Sequence, residues 1–498
     1  MTSPANKYGP ETSLPVQQSY VNGAYLPSKT GETFENRYPG NDEVICEVEV
    51  AGQAEIDAAV TAASDAFESW SQSPAAERSE ILLSAASILR SRNSELAELE
   101  SLDTGKPIAE TSVVDVITGA EVIEYFAKVI QAIGGRHVDL PPAAFALMRR
   151  EPLGVCAGIG AWNYPIQIAM WKSGPALACG NTMVFKPAEQ TPLTALRLAE
   201  IYTEAGLPAG VFNVVQGAAG TGSALVSHPG VAKVTLTGSV ETGKIVLEQA
   251  ARELKKVTLE LGGKSPIVVF DDADFDNALN AALVGNFYSS GQVCSNGTRV
   301  FVHAPIYEEF VTQLAQRTQA IRVGDPFDPA TQMGPLVSRE HYEKVLGYME
   351  LARKSGARHL CGGDAISEGD LARGYYVTPA VFANCQDDME FVKDEVFGPL
   401  MSVLPFESEE EAILRANDTP FGLAAAVFTT RLDRAHRVAN ALRAGIVWIN
   451  AYNVTPPEVP FGGFKESGLG RENGLEAIES YTQIKTIYTN LGGVEKTY

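Results

Sequence analysis

From Gly154 onward, short apolar runs alternate with longer segments of helical periodicity, and this alternation limits the possible fold more than any other feature. Strands that alternate with helices form parallel, doubly wound sheets. The sequence therefore predicts an α/β fold in which ligands bind beyond the carboxyl ends of the strands. The first set of predicted strands is 155–162, 183–186, 211–215, 231–237 and 257–261, with helices near 166–178, 191–205, 219–227 and 240–254.

A second set of strands and helices follows between residues 266 and 450, which predicts a second α/β domain with its boundary close to Gly262-Gly263. At 498 residues the chain is too long for a single core, so two sizeable domains and an accessory element are expected. The predicted strands of the second domain are 267–270, 300–302, 400–406, 424–429 and 446–450, with helices near 275–289, 306–321, 338–355, 407–416 and 432–443.

Before and between these sets lie other predicted elements. A strand at 20–25 is followed by a long helical region from 53 to about 101 and a helix from 110 to about 133. The stretches 134–142 and 146–152 have the pattern of a hairpin that leaves the main body, and a terminal helix and strand are predicted between 475 and 489.

The composition is that of an ordinary globular protein with an acidic surface: 45% hydrophobic residues, 39 Lys and Arg, 61 Asp and Glu, and a net charge of −22. That balance argues against binding of nucleic acid or anionic membranes by bulk charge. No apolar run is long enough for a membrane span, and the polar N-terminus lacks the pattern of a secretory signal. Six widely spaced cysteines predict neither disulfides nor a metal site, and they favour a reducing cytoplasm.

One of these cysteines, Cys294, lies among small and polar residues, with Gly291 and Gly297 on either side and a predicted strand beginning at Arg299. A thiol in such a segment is placed to be reached by a ligand. The alternative is that it packs as a small hydrophobic residue, as free cysteines often do.

Two strand ends carry further candidates. Glu260 ends an apolar strand directly before two glycines, where partial burial would raise its pKa toward that of a general base, although structural carboxylates at strand ends are common. Asn163 follows another strand end, and its amide is a candidate donor to a developing oxyanion. An N-cap is the competing explanation for Asn163.

The turn Gly238-Ser-Val-Glu-Thr-Gly243, after the strand 231–237, predicts a phosphate site at a helix N-terminus. A similar stretch, 217–222, is more typical of a connecting loop. Lys186 and Glu189 follow the strand 183–186 and suit the two hydroxyls of a ribose, while a solvated salt bridge is an equally good explanation.

Taken together, the motifs resemble those of the aldehyde dehydrogenase superfamily over essentially the whole chain. The motifs are Trp162-Asn-Tyr-Pro165, Lys186-Pro-Ala-Glu189, Thr237-Gly-Ser239, Leu259-Glu-Leu-Gly-Gly263, Gly291-Gln-Val-Cys294, Glu395-Val-Phe-Gly-Pro399 and Pro460-Phe-Gly-Gly-Phe-Lys-Glu-Ser-Gly468. The resemblance implies a Rossmann-like domain for NAD, a catalytic α/β domain and a small β arm for oligomerisation.

The resemblance also implies roles for the catalytic residues. Cys294 would attack the aldehyde to give a thiohemiacetal, Asn163 would hold the oxyanion, and Glu260 would activate the water that hydrolyses the thioester. Lys172 and Glu472 join this catalytic set, Glu472 as a buried carboxylate in a proton relay. The implied cofactor is NAD rather than NADP, since Glu189 would repel a 2′-phosphate. The implied cofactor-binding residues are Trp162, Lys186, Glu189, Gly238, Ser239, Gly243, Glu395 and Phe397.

Four aromatic residues match the family's substrate tunnel: Tyr164, Trp171, Tyr288 and Phe461. Such a set of rings suits a quaternary ammonium group, and longer stretches resemble the branch of betaine aldehyde and 4-trimethylaminobutyraldehyde dehydrogenases. A broad aminoaldehyde or aliphatic aldehyde dehydrogenase is the alternative within the class. Outside it, Cys294 with Glu260 would also suit a cysteine hydrolase, and a structural protein on this fold is a third hypothesis.

The resemblance further divides the chain into domains and implies an assembly. Residues 1–133 and 153–262 are expected to form the NAD-binding domain, and 263–462 the catalytic domain. Residues 134–152 and 478–498 are expected to form the oligomerisation arm of a homotetramer, a dimer of dimers.

Overall fold

The computed structural model describes residues 14–494 and 496–498, so most of the N-terminal stretch without a secretory pattern lies outside the described residues. The strands are β1 (Ser19–Val21), β2 (Ala24–Leu26), β3 (Thr33–Arg37), β4 (Val44–Glu49), β5 (Arg136–Leu140), β6 (Ala144–Pro152), β7 (Val155–Ile159), β8 (Thr182–Lys186), β9 (Phe212–Val214), β10 (Val231–Thr237), β11 (Lys256–Glu260), β12 (Pro266–Val269), β13 (Arg299–His303), β14 (Arg358–Cys361), β15 (Ala380–Ala383), β16 (Leu400–Phe406), β17 (Ala424–Phe428), β18 (Ile446–Ile449), β19 (Gly468–Leu469) and β20 (Thr482–Asn490). The α-helices are α1 (Gln53–Trp70), α2 (Ala75–Ser91), α3 (Asn93–Thr104), α4 (Ile108–Thr111), α5 (Asp115–Val129), α6 (Pro165–Ala178), α7 (Leu193–Glu204), α8 (Ala219–Ser227), α9 (Val240–Arg252), α10 (Phe275–Phe287), α11 (Tyr307–Gln319), α12 (Arg339–Lys354), α13 (Glu390–Lys393), α14 (Glu409–Asn417), α15 (Leu432–Ala441) and α16 (Glu476–Tyr481).

The first large sheet is doubly wound. Its five parallel strands lie in the order β11-β10-β7-β8-β9, and the antiparallel strands β19 and β1-β2 extend its two edges. The strand order reverses between β7 and β10, the position at which such sheets bind their ligands. The predicted α/β class is therefore confirmed, and the switch point falls beside Trp162 and Ser239.

The second large sheet runs in the order β14-β15-β16-β13-β12-β17-β18, parallel except for β14. All five strands predicted for this domain are present. Two further strands, β14 and β15, were not predicted. The hydrophobic residues on the two faces of this sheet form two separate clusters, one around Phe301 and Phe382 and one around Val300 and Phe310.

A third sheet of three antiparallel strands joins β5, β6 and β20. The hairpin predicted for 134–152 is confirmed. β6 also pairs along nine residues with the terminal strand. Ile484 and Tyr488, on β20, are exposed on the single chain.

The N-terminal predictions need correction. The helical region expected from 53 to about 101 is three helices, because the chain breaks between Trp70 and Ala75, with Pro74 as the N-cap of α2, and again at Arg92. The third helix continues to Thr104 and ends at Gly105, whose left-handed conformation (φ 76°) favours glycine. The strand expected at 20–25 is the hairpin β1-β2, which turns at Asn22-Gly23.

Within residues 14–494 and 496–498, no helix has both the length and the apolar character needed to cross a membrane.

Candidate active site

A cavity of about 250 Å³ opens beyond the carboxyl ends of β10 and β11, against the loop that follows α10. The four aromatic residues predicted for substrate binding line it, together with four of the five predicted catalytic residues. The lining residues are Val114, Asn163, Tyr164, Gln167, Ile168, Trp171, Thr237, Glu260, Val284, Tyr288, Val293, Cys294, Ser295, Tyr452, Asn453, Thr455, Phe461 and Glu472.

Cys294 follows a segment with unusual backbone geometry. Ser289, Ser290 and Gly291 are consecutive left-handed residues, with φ of 49°, 57° and 75°. A side chain at position 291 would overlap the backbone of Gly398, so this turn requires glycine. Cys294 is partly exposed, whereas the other five cysteines are buried, and all six are free thiols. The expectation of an accessible thiol agrees with this arrangement.

The Cys294 thiol is nevertheless largely surrounded by protein. Burial, together with the nearby carboxylates of Glu260 and Glu395, raises its pKa to about 12. The thiol is therefore protonated at neutral pH in the absence of a ligand, and attack on a substrate requires a base.

Glu260 is the last residue of β11 and is buried. Neither of its carboxylate oxygens has a hydrogen-bond partner among the described residues. Burial raises its pKa well above the usual value, and the charge of Glu472 adds to the shift. A buried carboxylate with unsatisfied oxygens on a cavity is suited to accept a proton from a bound molecule.

Asn163 does not cap the helix that follows it. Helix α6 begins at Pro165 without a side-chain cap, so the N-cap explanation is wrong. The Asn163 side-chain amide instead donates to the carbonyl oxygen of Gln292, at 3.0 Å. Because an amide nitrogen carries two hydrogens, one remains for a ligand in the cavity.

A buried ion pair lies behind the cavity. The Lys172 Nζ is 2.5 Å from Glu472 Oε1, and both side chains are excluded from solvent. Thr235 joins the pair: its hydroxyl donates to the same carboxylate oxygen at 3.0 Å and accepts from Lys172 at 3.2 Å. Thr235 was not predicted. The polar residues at 233, 235 and 237 alternate along β10 and therefore lie on one face of the strand, and this pattern was the available signal.

The predicted phosphate turn forms the N-terminus of α9. Ser239 is its N-cap and accepts from the backbone N–H of Thr242 at 3.2 Å. The N–H of Gly243 donates to the Ser239 carbonyl, and a side chain at position 243 would meet Leu261 at 2.7 Å. Gly243 thus serves the packing of the helix on the sheet, while a side chain at Gly238 would meet only Leu236, at ordinary contact distance.

Lys186 and Glu189 lie at the same edge of the sheet. The Lys186 ammonium donates to the carbonyls of Pro187 and Gly217, at 2.8 and 2.7 Å, and lies 3.8 Å from the Glu189 carboxylate. The Glu189 side chain is 41% exposed and open to a ligand. The stretch 217–222, expected to be only a connecting loop, contacts Lys186 directly through Gly217.

Glu395 and Phe397 approach the cavity from the second sheet. Glu395 accepts the backbone N–H of Gly263 at 2.8 Å, and burial raises its pKa to about 7. Phe397 is left-handed (φ 59°) and packs edge-on against Trp162, with ring centroids 5.2 Å apart. His341, which was not predicted, contacts Trp162 and hydrogen-bonds the Phe397 carbonyl at 2.8 Å.

Other lining residues were also missed. The Tyr452 hydroxyl donates to the Ser295 carbonyl at 2.7 Å, and the Ser295 hydroxyl donates to Asn453 at 2.8 Å, so both residues of this loop hold the segment after Cys294. Tyr452 and Asn453 precede the motif Pro460–Gly468 and were not singled out from the sequence.

This fold and site correspond to a known family. Residues 25–487 match the family model described as the aldehyde dehydrogenase family, and the chain belongs to that family.

Solved structures similar to the chain include three enzymes. A point mutant of an aldehyde dehydrogenase from Bacillus cereus is 43% identical, with a TM-score of 0.93, covering 95% of this chain and 96% of its own. Betaine aldehyde dehydrogenase from Staphylococcus aureus, in complex with NAD+, is 40% identical, with a TM-score of 0.94, covering 97% and 96%. An indole-3-acetaldehyde dehydrogenase complexed with NAD+ is 40% identical, with a TM-score of 0.93, covering 95% and 97%.

Proposed function

We propose that the protein is an NAD-dependent dehydrogenase that oxidises a trimethylammonio-aldehyde, either betaine aldehyde or 4-trimethylaminobutyraldehyde, to its carboxylate. The observation that carries the proposal is the clustering of Tyr164, Trp171, Tyr288 and Phe461 around the cavity that holds Cys294. A quaternary ammonium group cannot donate hydrogen bonds and is attracted by the faces of aromatic rings.

No basic side chain among the described lining residues would repel a cationic substrate. The acid–base side chains in that lining are the carboxyl groups of Glu260 and Glu472, and the protein as a whole carries a charge of −22. The rings of Trp171 and Phe461 pack edge to face, with centroids 5.5 Å apart. Similarity to the Staphylococcus aureus betaine aldehyde dehydrogenase also supports the proposal. The indole-3-acetaldehyde dehydrogenase is equally similar, however, so overall identity does not choose the substrate.

The chain's own residues fit NAD. The first turn of α9 directs backbone N–H groups past Ser239, where a phosphate binds favourably. The exposed Glu189 carboxylate beside Lys186 suits the hydroxyls of a ribose and opposes a 2′-phosphate. Trp162 packs against Phe397, and the carboxylate of Glu395 lies near Cys294. Two of the similar structures contain NAD+.

In the proposed reaction the Cys294 thiol gives its proton to solvent water, and the resulting thiolate adds to the aldehyde carbonyl, giving a thiohemiacetal oxyanion. The free N–H of Asn163 stabilises that oxyanion. Bound NAD would supply the oxidant: the thiohemiacetal carbon would lose a hydride to it and become the carbonyl carbon of a thioester. Glu260 then takes a proton from water as the water adds to the thioester carbonyl, and Cys294 leaves as the thiolate while the carboxylate forms. The ion pair of Lys172 and Glu472 lies near Glu260 and is the proposed path by which Glu260 passes this proton on.

We also propose a division of the chain into domains and an oligomeric state. All strands of the second large sheet come from residues 266–449, which supports a boundary at 262–263. The exposed apolar residues of β20 suit burial between subunits, so we propose a homotetramer, distinguishable from a dimer by light scattering. Six free cysteines fit a reducing cytoplasm.

The substrate is tested by comparing each cationic aldehyde with its uncharged carbon isostere. Betaine aldehyde is paired with 3,3-dimethylbutanal, and 4-trimethylaminobutyraldehyde with 5,5-dimethylhexanal, using NAD and NADP in turn. We expect kcat/KM to favour a cationic substrate by about tenfold or more, since each cation–π contact contributes roughly 1 kcal/mol. Equal values for both members of each pair would favour the broad aliphatic or aminoaldehyde alternative.

A further inference from the structure

We propose that Glu110 is a positioning residue for the segment that carries the nucleophile, and that it also orients Tyr164 through Ser289. The proposal rests on the proposed function only in taking Cys294 as the nucleophile and Tyr164 as part of the substrate cavity. Glu110 is not among the described residues that line the cavity, so its effect is transmitted by Ser289.

The contacts form a short chain of hydrogen bonds between distant parts of the sequence. Glu110 lies on the short helix α4 and is buried. Its carboxylate accepts the backbone N–H of Ser289 at 3.1 Å and the Ser289 hydroxyl at 2.9 Å. The same hydroxyl oxygen lies 3.0 Å from the hydroxyl of Tyr164. A single carboxylate is thus linked to Ser289, which follows the cavity residue Tyr288, and through it to the cavity residue Tyr164.

The backbone of this segment needs such support. Ser289 and Ser290 are both left-handed, a conformation that residues other than glycine adopt rarely and keep only when surrounding contacts hold them. Each serine has its own contact. Glu110 binds Ser289, and the Ser290 hydroxyl donates to the Gly334 carbonyl at 2.8 Å. Removal of the Glu110 carboxylate would release the first of the two.

The contact between Glu110 and Ser289 matters for function because the two serines lie between a residue of the cavity lining and the nucleophile. Tyr288, immediately before them, lines the cavity, and Cys294 follows five residues after Ser289. A relaxation of the turn would therefore displace a substrate-contacting ring and the nucleophile together. Small displacements of reacting groups lower rates strongly.

The charged neighbours of Glu110 suggest a competing role, an electrostatic one, and the experiment must distinguish it from positioning. Lys106 lies over the Tyr164 ring, 3.9 Å from its centroid, and forms a buried ion pair with Asp115. If Glu110 acted instead as a negative charge that attracts a cationic substrate through the cavity wall, its removal would weaken cationic aldehydes alone. Positioning predicts a loss for both the cationic aldehyde and its uncharged isostere.

The experiment compares Glu110→Ala, Glu110→Gln and Ser289→Ala with the wild-type protein. The first readout is the rate of Cys294 alkylation by iodoacetamide, measured without aldehyde or nucleotide. The second is kcat and KM for betaine aldehyde and for 3,3-dimethylbutanal. Asp103→Asn is the matched control, because Asp103 is also a buried acid of this region but bonds Asn36 and Leu193 instead of the nucleophile segment.

For Glu110→Ala we expect a change of about fivefold or more in the alkylation rate and a fall of about tenfold or more in kcat/KM for both aldehydes. Glu110→Gln keeps an oxygen acceptor for the Ser289 N–H and should stay within about threefold of wild type. Ser289→Ala loses the hydroxyl links and should raise KM for both aldehydes about threefold or more.

The proposal would be overturned if Ser289→Ala, or a folded Glu110→Ala, showed the wild-type alkylation rate and wild-type KM. It would also be overturned if kcat/KM fell for the cationic aldehyde alone. If Glu110→Ala does not fold, the comparison of Ser289→Ala with Glu110→Gln still tests the proposal. Ser289→Ala is expected to be impaired, and Glu110→Gln is not. A failure here is distinct from a failure of the proposed substrate, because alkylation needs no aldehyde and the two aldehydes are compared within each variant.

Discussion

The side-chain amide of Asn163 donates to the carbonyl oxygen of Gln292 at 3.0 Å, two residues before Cys294. This bond joins the turn after β7, in the first sheet, to the segment that carries the nucleophile. It fixes the amide plane, so that the second N–H has a defined direction in the cavity.

Asn163→Ala should therefore lower kcat by about 10²-fold to 10³-fold, the usual effect of removing one oxyanion donor. Steady-state kinetics measures the loss, and circular dichroism verifies the fold. An unchanged kcat would show that this amide does not contact the reacting oxygen.

Alkylation of Cys294 should depend strongly on pH. Because burial and two nearby carboxylates raise the pKa of the thiol to about 12, the reactive thiolate increases about tenfold per pH unit through the neutral range. Iodoacetamide labelling from pH 6 to pH 10 should rise without a plateau, with Cys294→Ala as the background. A plateau below about pH 8 would contradict a raised pKa.

The buried pair of Lys172 and Glu472 should show strong energetic coupling. Removing one partner leaves the other charge buried and unpaired, which costs about 3 kcal/mol or more. We expect Lys172→Met and Glu472→Gln each to lose about that free energy of unfolding. The double variant should lose less than the sum. Urea denaturation provides the values, and strict additivity would mean that the two side chains do not interact.

Discrimination between NAD and NADP should depend on Glu189. Its exposed carboxylate would oppose a 2′-phosphate, so Glu189→Gln should improve kcat/KM for NADP relative to NAD by about tenfold. Glu204→Gln, which changes an exposed carboxylate at the end of α7, serves as the control. An unchanged ratio of kcat/KM for NADP to that for NAD would show that other residues discriminate between the two cofactors.

Periodicity was sufficient to predict the five parallel strands of the first large sheet and five of the seven strands of the second, because buried parallel strands are short apolar runs bounded by turns. The four-residue apolar strand β15 was missed. Periodicity was also insufficient for β14 and for the break between α1 and α2: β14 carries polar residues on an edge, and Pro74 interrupts a region whose helical pattern continues on both sides. The positions of Cys294, Glu260 and Asn163 at strand and helix ends were visible locally.

The contacts around the active site between residues far apart in sequence could not be predicted from local sequence pattern. Glu110 binds Ser289 across 179 residues of sequence, and Thr235 bonds Glu472 across 237. Local pattern carries no information on such pairs, since each partner alone resembles an ordinary helix or strand residue. His341 was missed for the same reason, as its contacts are with Trp162 and Phe397.

Covalent catalysis by Cys294, with Glu260 needed for hydrolysis of the thioester, is tested by a single turnover of Glu260→Gln. With NAD and betaine aldehyde, we predict a burst of about one NADH per subunit, followed by slow turnover, and an acyl adduct on the peptide that contains Cys294 in the mass spectrum of acid-quenched protein. Wild-type protein should show little adduct. Steady turnover of Glu260→Gln at the wild-type rate, or an adduct on another residue, would contradict the account.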